Sequence, residues 1–476
     1  MRNLTLLTDL YQLTMGQGYF SEGKHTQRAV FDVFFRPNKL ITYSVAAGME
    51  QAAEYLENLH FEEEDISYLR SLGIFTEDYL EYLKNLRFSG DVTAVREGEI
   101  VFPYEPIVTV SAPMLEAQLV ETALLTFINH QTLIASKAAK ICAAAGGGVM
   151  EFGLRRAQGA DAGIYGARAA MIGGCVGTSN VYAGKLFHVP VSGTMAHSWV
   201  MNFPSELEAF RAYARSFPDS CLLLVDTYDT LRSGVPNAIR VFRELRAQGY
   251  EPKGIRLDSG DLAYLSKAAR AMLDEAGFEN AKICASGDLD EVLIRSLKEQ
   301  GARIDVWGVG TKLITSADMP ALGGVYKLAA VYEDGKEIPK IKLSDTAEKI
   351  TNPGVKEIYR IYDVHSDKAI ADLIVRADET IDETKPLTLF HPVDTWKRMT
   401  IFSFRARKLR ETLISGGKRI APSYSLAEIS AYRAQEQARF WEEYLRQDMP
   451  HIYKVDLSDA LYQLKMKLVE QFGAQR

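Results

Sequence analysis

Between Glu151 and Trp199 the chain reads Glu151-Phe152-Gly153-Leu154-Arg155-Arg156, a small-residue helical run, Gly177-Thr178-Ser179-Asn180, and Ser192-Gly193-Thr194-Met195-Ala196-His197-Ser198-Trp199. Three short apolar runs in this region each end in groups that hold anions. Residues 150–154 lead into Arg155 and Arg156, 175–177 into Thr178 and Ser179, and 189–191 into Gly193, Thr194 and His197. An apolar strand followed by glycines and hydrogen-bond donors is how parallel α/β sheets build phosphate sites at their carboxyl edge. Three such endings in one stretch mark it as the expected active site.

The same beat extends from 146 to 312. Strands are expected near 149–154, 175–178, 189–193, 221–225, 254–257, 282–285 and 304–308, and helices near 161–173, 206–217, 235–248, 262–276 and 290–300. In 235–245, for example, Val235, Ile239, Phe242 and Leu245 share one helical face, and Gly249 follows as a C-cap. Strand-then-helix units in this number point to a closed or nearly closed β/α barrel, with an open doubly wound sheet as the other arrangement.

On either side the rhythm is different. Thr8 is placed to N-cap a helix whose Leu10, Leu13 and Met15 form a buried stripe, and Tyr11 on that helix is either a packed surface aromatic or a functional ring. A strand over 28–35 is closed by Pro37, and helical periodicity follows over 48–59, 62–71 and 76–85. After short β runs in 91–111, a long apolar helix or helix pair covers 119–145. Beyond Lys312 come strands near 325–332 and 357–363, a hairpin near 336–342, and amphipathic helices over 423–446 and 456–472. The expected organisation is an N-terminal α+β domain over 1–120, a β/α barrel catalytic domain over 121–345, and a C-terminal segment, 346–476, packing back on the first.

A chain of 476 residues has room for such an arrangement and for a sizeable core. Its net charge of -7 argues against a protein that neutralises a nucleic-acid backbone. Cys142, Cys175, Cys221 and Cys284 sit singly in apolar runs, with no Cys-x-x-Cys pair, and read as buried small hydrophobes in a reducing compartment. No early apolar stretch behind a basic flank and no span-length apolar run is present, so a soluble, cytoplasmic protein without membrane partners is expected.

Each expected strand of the central region ends in polar groups: Arg155; Thr178 and Ser179; Thr194 and His197; Asp226 and Asp229; Arg256, Asp258 and Asp261; Gly287 and Asp288; Gly308, Gly310 and Thr311. In a β/α barrel these ends share one mouth. Arg155 and Arg256 suit forked contacts to carboxylate or phosphate. The Gly308-Val309-Gly310-Thr311 turn lets backbone N–H groups approach a phosphate. Asp226, Asp229, Asp258 and Asp288 offer hard oxygen ligands for Mg²⁺ and acceptors for sugar hydroxyls. Together these groups suit a magnesium-bound phosphorylated sugar and a second, anionic substrate. His197, flanked by Ala196 and Ser198 and without a histidine cluster, is left as an acid, a base or a nucleophile, whereas His130 and His188 lie in apolar stretches and read as core residues.

The motifs Thr8-Asp9-Leu10-Tyr11-Gln12-Leu13-Thr14, Glu151-Phe152-Gly153-Leu154-Arg155-Arg156, Gly193-Thr194-Met195-Ala196-His197-Ser198 and Arg256-Leu257-Asp258-Ser259-Gly260-Asp261 resemble those of the nicotinate phosphoribosyltransferase family. The turn at Gly308-Val309-Gly310-Thr311 and Asn352-Pro353-Gly354-Val355-Lys356 fit the same family, in order along the chain. The resemblance implies an irregular, TIM-like β/α barrel with an additional α/β domain built from the N-terminus and part of the C-terminus. It implies conversion of nicotinate and phosphoribosyl pyrophosphate to nicotinate mononucleotide and pyrophosphate, with ATP as co-substrate and Mg²⁺ as cofactor.

In that likeness Arg256 holds the nicotinate carboxylate, and Tyr11 stacks on the ring from the partner chain of a homodimer with shared sites. Phe152, Arg155, Ser179, Thr194 and Ser198 contact substrate. Asp258 and Asp288 serve the ribose and magnesium side, with Asp226 as a second metal ligand, and Gly308, Gly310 and Thr311 take the 5′-phosphate. His197 is the nucleophile that ATP phosphorylates. Nicotinamide phosphoribosyltransferase is the near alternative. It resembles this chain but carries an Asp where Ser179 stands, and serine does not repel a carboxylate. Quinolinate phosphoribosyltransferase shares the barrel but is shorter and decarboxylates its substrate. A non-catalytic binding protein on the same fold is the alternative from another class, against which intact His197, Arg256 and Asp258 argue.

Overall fold

The structure is a computed structural model that describes residues 2–37, 43–394, 396–447 and 449–473. The chain divides into two compact units, Met1–Leu133 with Ala321–Arg476, and Ile134–Pro320. The expected boundaries at 120 and 345 are displaced for two reasons. The strand Gly324–Glu333 pairs antiparallel along Arg28–Phe35, which makes it part of the first unit. The first half of the helix Glu121–Ala145 also packs there: Thr132 Oγ1 accepts from Ala47 N–H at 3.2 Å and donates to the Ala47 carbonyl at 3.0 Å.

In the first unit, a seven-stranded sheet runs in the order Lys336–Pro339, Gly324–Glu333, Arg28–Phe35, Val108–Pro113, Asp91–Val95, Arg410–Ser415 and Lys418–Arg419. Arg28–Phe35 is buried along most of its length, as its Val and Phe content favours. A six-stranded sheet orders Arg398–Ile401, Leu387–Phe390, Lys454–Leu457, Ala369–Arg376, Lys356–Asp363 and Phe404–Lys408 around a core of Ile361, Leu373, Val375, Leu389 and Phe404. Arg360, fully buried, joins this sheet to the N-terminal segment: it donates to Glu99 at 2.5 Å and to both oxygens of Asp372 at 2.9 and 2.7 Å. Residues 423–446 are two helices, Leu426–Gln437 and Glu442–Leu445, and the last helix is Asp459–Gly473.

The N-terminal helix, Leu10–Ser21, differs from the expected one. Asp9 occupies the N-cap position, and the Thr8 hydroxyl donates instead to the Leu119 carbonyl at 3.2 Å. Of the expected stripe only Leu13 is buried; Leu10 is 53% exposed and Met15 37%, because Gln12 and Gly16 occupy the inward face. Tyr11 is also exposed.

The second unit is α/β. Its sheet is parallel and six-stranded, in the order Gly177–Thr178, Val149–Glu151, Val306–Val309, Lys282–Ser286, Gly254–Leu257 and Leu222–Leu224. The strand expected near 189–193 contributes only an isolated parallel bridge, Thr178 to Val191. Pro190 cannot donate to a ladder, and the chain continues through polar Ser192 and Gly193. The helices Ala160–Ile172, Glu206–Ser216, Val235–Ala247, Leu262–Glu275 and Glu291–Glu299 fall where periodicity places them. No closed ring of strands is present among the described residues. Cys175, Cys221 and Cys284 are buried as expected, and Cys142 is half-buried. Among the described residues, no helix is long and apolar enough to cross a membrane.

Candidate functional site

Strand register decides which residues meet. Leu224 pairs with Arg256, Ala285 with Leu257, Ser286 with Gly308, Gly308 with Met150 and Met150 with Gly177. Continued along each strand, this places Asp226, Asp258, Ser286 and Gly308 on one level at the carboxyl edge. Arg256 and Asp258 are two apart and so point to the same side, opposite the fully buried Leu257.

One group of contacts gathers the charged residues. Arg256 donates from a terminal guanidinium nitrogen to Thr194 Oγ1 at 2.6 Å, while its Nε is buried without a partner among the described residues. Asp226 Oδ2 accepts from Asp258 N–H at 2.8 Å and from Ser259 Oγ at 2.7 Å; its Oδ1 is buried and unpartnered. Ser286 Oγ donates to Asp258 Oδ1. His197, at the start of the short helix His197–Met201, has Nδ1 3.1 Å from Thr227 Oγ1 and Nε2 3.9 Å from Asp258 Oδ2. Its side chain is 39% exposed, so it faces solvent rather than core.

A second group gathers around Glu151. Its carboxylate accepts from Gly153 N–H and, at 2.6 Å, from Thr178 Oγ1, and its carbonyl accepts from Ser179 N–H at 2.9 Å. Burial pushes the Glu151 carboxyl above the usual carboxylate range, against the two hydrogen bonds, which pull it down. Phe152 N–H donates to the Val309 carbonyl at 2.8 Å, and the Phe152 ring lies over Gly308, where a Cβ would come within 2.6 Å of it. Gly308 is therefore required by close approach.

Other expected site residues have different surroundings. Arg155 is exposed on the 3₁₀ turn Leu154–Arg156; Ser198 is exposed on the His197–Met201 helix; Thr311 begins the short helix Thr311–Ile314. Asp288 is exposed and takes a left-handed φ of 39°, just after Gly287. Tyr11 belongs to the first unit. Two carboxylates of the strand-end inventory are helix caps: Asp229 accepts from Leu231 and Arg232 N–H, and Asp261 from Tyr264 N–H. His188 is corrected as well. It is exposed and left-handed at φ 55°, ending the helix Val181–Phe187, whereas His130 is largely buried, which lowers its pKa. Reading by motif passed over Glu151, Thr227 and Ser286 as contact makers. The only signal for Glu151 was an acid closing an apolar strand.

Models of the nicotinate phosphoribosyltransferase N-terminal domain, family and C-terminal domain match residues 6–129, 148–366 and 355–465. The chain is 50% identical over 471 residues to nicotinate phosphoribosyltransferase of Bacillus subtilis (strain 168), covering 98% of this chain and 96% of that one. It is 37% identical over 516 residues to the nicotinate phosphoribosyltransferase of Dictyostelium discoideum, covering 96% and 87%. The crystal structure of human nicotinic acid phosphoribosyltransferase superposes with a TM-score of 0.84 at 30% identity, covering 97% of this chain and 99% of that one. A parallel α/β sheet with arginine, histidine and aspartates at its carboxyl edge defines an enzyme of the class that handles anionic small molecules there. Within that class, the chain belongs to the nicotinate phosphoribosyltransferase family.

Proposed function

We propose that the chain converts nicotinate and phosphoribosyl pyrophosphate to nicotinate mononucleotide and pyrophosphate, and that ATP hydrolysis is coupled to this transfer through phosphorylation of His197. The observation that carries the transferase reading is the 50% identity along 98% of the chain. The coupling reading is supported by a half-exposed histidine held between Thr227 and Asp258 on the edge that carries Arg256.

The pyridine nitrogen already has a free lone pair at neutral pH, so attack on ribose C1 needs no general base. The protein's work is to position the ring and balance charge as pyrophosphate leaves. Arg256, braced by Thr194, takes the nicotinate carboxylate, and its unpartnered Nε leaves donor capacity for an anion. Phe152 and Ser179 line the ring, with Arg155 and Ser198 at the rim. Ser179, in place of an acid, favours nicotinate over nicotinamide. Asp288 serves the ribose, and the turn carrying Gly308, Gly310 and Thr311 takes the 5′-phosphate through backbone N–H groups. Asp226 and Asp258 fit Mg²⁺ by donor chemistry, since Asp226 keeps a buried oxygen without a partner. Bound there, the ion would neutralise pyrophosphate charge.

In the coupling step an imidazole nitrogen of His197 attacks the γ-phosphorus of ATP, and ADP departs with the electron pair of the broken P–O bond. Phosphorylation changes phosphoribosyl pyrophosphate affinity only in so far as the two forms of the residue bind it differently.

The finer reading of the fold is an irregular, TIM-like β/α barrel. It is supported by pairing of the last strand of the unit, Val306–Val309, with the first, Val149–Glu151, and by a strand sequence broken only between Val191 and Leu222–Leu224. Exposed Leu10, Tyr11 and Met15 on one helix support a homodimer in which Tyr11 reaches the partner's site. The working compartment is the cytoplasm.

The test is product formation by purified protein with and without ATP and Mg²⁺. His197→Asn is expected to keep slow, ATP-independent transfer and to lose ATP stimulation and ATPase activity, while wild type acquires an acid-labile, base-stable phosphate on His197. ATP-stimulated synthesis by His197→Asn would eliminate the phosphohistidine.

A further inference from the structure

We propose that Glu151 is the positioning residue of the nicotinate subsite. Its buried carboxylate ties the turn that carries Phe152 to the strand end that carries Ser179, and so sets the spacing of two surfaces between which the ring lies. The proposal rests on the transferase reading above, in which Phe152 and Ser179 line that ring.

Three features of Glu151 go beyond what a strand terminus needs. Its side chain is fully buried, where an apolar residue would pack at lower cost. Two donors from different segments converge on it, Gly153 N–H from its own turn and the Thr178 hydroxyl from the neighbouring strand. Thr178 Oγ1 in turn accepts from Asn180 N–H at 2.9 Å, so Ser179 lies between two residues held through one hydroxyl. Ser179 is also held through its own N–H on the Glu151 carbonyl.

On the other side, Phe152 lies between Glu151 and Gly153 and is pinned by Val309. A Cβ on Gly153 would collide with the Ile314 side chain at 2.5 Å, so the turn has no space to relax towards that helix. The turn of Phe152 and the strand end of Ser179 are thus joined through Glu151, whose carboxylate holds the residues beside each of them.

The chemistry requires a carboxylate and not its amide. Both incoming groups donate, each to a different oxygen of the carboxylate. Glutamine offers one acceptor and turns an N–H₂ towards the second donor, leaving a buried donor unpaired. The 5′-phosphate turn is tied to this assembly through the backbone contact of Phe152 with Val309, not through the carboxylate. Nicotinate and phosphoribosyl pyrophosphate are therefore separable in their dependence on Glu151.

The experiment compares Glu151→Gln, Thr178→Val and Thr178→Ser in the full-length enzyme. Steady-state kinetics would vary each substrate in turn, with calorimetric binding of nicotinate mononucleotide as a readout that needs no turnover. Glu151→Gln is expected to raise KM for nicotinate about tenfold while KM for phosphoribosyl pyrophosphate moves less than about threefold. Thr178→Val is expected to move the same way by less, since the Gly153 contact remains, and Thr178→Ser, which keeps the hydroxyl, to restore wild-type values. The threonine pair carries the test if Glu151→Gln fails to fold. Proportional changes in both KM values would reduce Glu151 to a structural brace and overturn the proposal, as would an unchanged KM for nicotinate or equal behaviour of the two Thr178 variants. Absence of nicotinate mononucleotide formation by wild type would instead defeat the transferase reading, and the binding comparison would still decide for or against Glu151.

Discussion

Gly308→Ala isolates the Phe152 surface more sharply than removal of the ring would. A Cβ at 308 would lie 2.6 and 2.8 Å from two ring carbons of Phe152, with the Ser286 Cβ at 3.4 Å behind it. To regain an ordinary carbon–carbon separation of roughly 3.5 Å, the ring must retreat by about 1 Å. The backbone cannot supply that movement, because Phe152 N–H is bonded to Val309 and the adjoining Gly153 N–H to Glu151. The ring must therefore rotate away from its rotamer, and overpacking of this kind costs about 1–3 kcal/mol. If Phe152 supports the nicotinate ring, that strain falls on binding, and kcat/KM for nicotinate drops about 5- to 150-fold. The assay is initial-rate kinetics with nicotinate varied at saturating phosphoribosyl pyrophosphate, alongside thermal unfolding. A folded Gly308→Ala enzyme with wild-type KM for nicotinate would refute the placement of the ring on Phe152.

Arg256→Ala is expected to weaken nicotinate far more than phosphoribosyl pyrophosphate, by about 2–5 kcal/mol, because a buried carboxylate loses its partner; steady-state kinetics with each substrate varied would reveal an arginine that serves the other ligand. Mixing a Tyr11→Ala chain with an Arg256→Ala chain is expected to restore partial activity in verified heterodimers, since one site would be intact, and no recovery would count against shared sites. Lys465, its Nζ donating to Asn352 Oδ1 and the Pro392 carbonyl at 2.9 Å each, is pushed by burial from 10.5 down to about 8. A depressed lysine means the unfolded chain binds more protons between about 8 and 10.5, so this contribution to stability rises with pH across that window. The cost present below about 8 is ~3 kcal/mol by the pKa difference. Lys465→Met is expected to flatten that part of the stability profile in denaturant titrations, and an unchanged profile would refute the assignment.

The sequence revealed the second unit because its chemistry is local. A strand of four or five apolar residues, an arginine or aspartate at its end and a capped helix can be read in one window, and Gly254–Leu257 followed by Asp258 and Leu262–Glu275 was found so. The N-terminal helix was misread because an apolar stripe at helical spacing does not say which side is covered. Gln12 and Gly16 turn inward, and Leu10 and Met15 are left outside. The strands Ala369–Arg376, Leu387–Phe390, Arg398–Ile401 and Phe404–Lys408 went unread for a related reason. Charges in a strand look like a solvent face, yet Arg360 and Asp372 are fully buried because Arg360 pairs with both Asp372 and Glu99, and Arg407 adds the second positive charge at Glu99. Such pairs are long-range in sequence, and no local pattern announces them. At the carboxyl edge the sequence pointed to the charged groups that the structure brings together, Asp226, Arg256 and Asp258 with His197, while Glu151, Thr227 and Ser286 were not singled out, since each shows only in its contacts with a neighbour.

That division follows from how a parallel edge assembles a site. Each strand delivers one side chain to the reacting face at a given level, and register alone brings Asp226, Asp258, Ser286 and Gly308 together. A slip of one residue in any of these strands would turn its contribution to the opposite face. The hydrogen bonds from Asp258 N–H to Asp226 Oδ2 and from Ser286 Oγ to Asp258 Oδ1 therefore do more than gather polar groups. They lock neighbouring strand ends in the register that keeps Arg256 and Asp258 on the same side. In Asp226, Oδ2 is committed to the neighbouring strand end, while Oδ1 is buried without a partner among the described residues. Asparagine at this position would keep one acceptor oxygen for Asp258 N–H and Ser259 Oγ and place its amide nitrogen where Oδ1 stands, so it removes the charge while retaining the register contacts. Glu151 stands apart, because among the described residues its carboxylate bonds Gly153 N–H and the Thr178 hydroxyl and no member of that charged group.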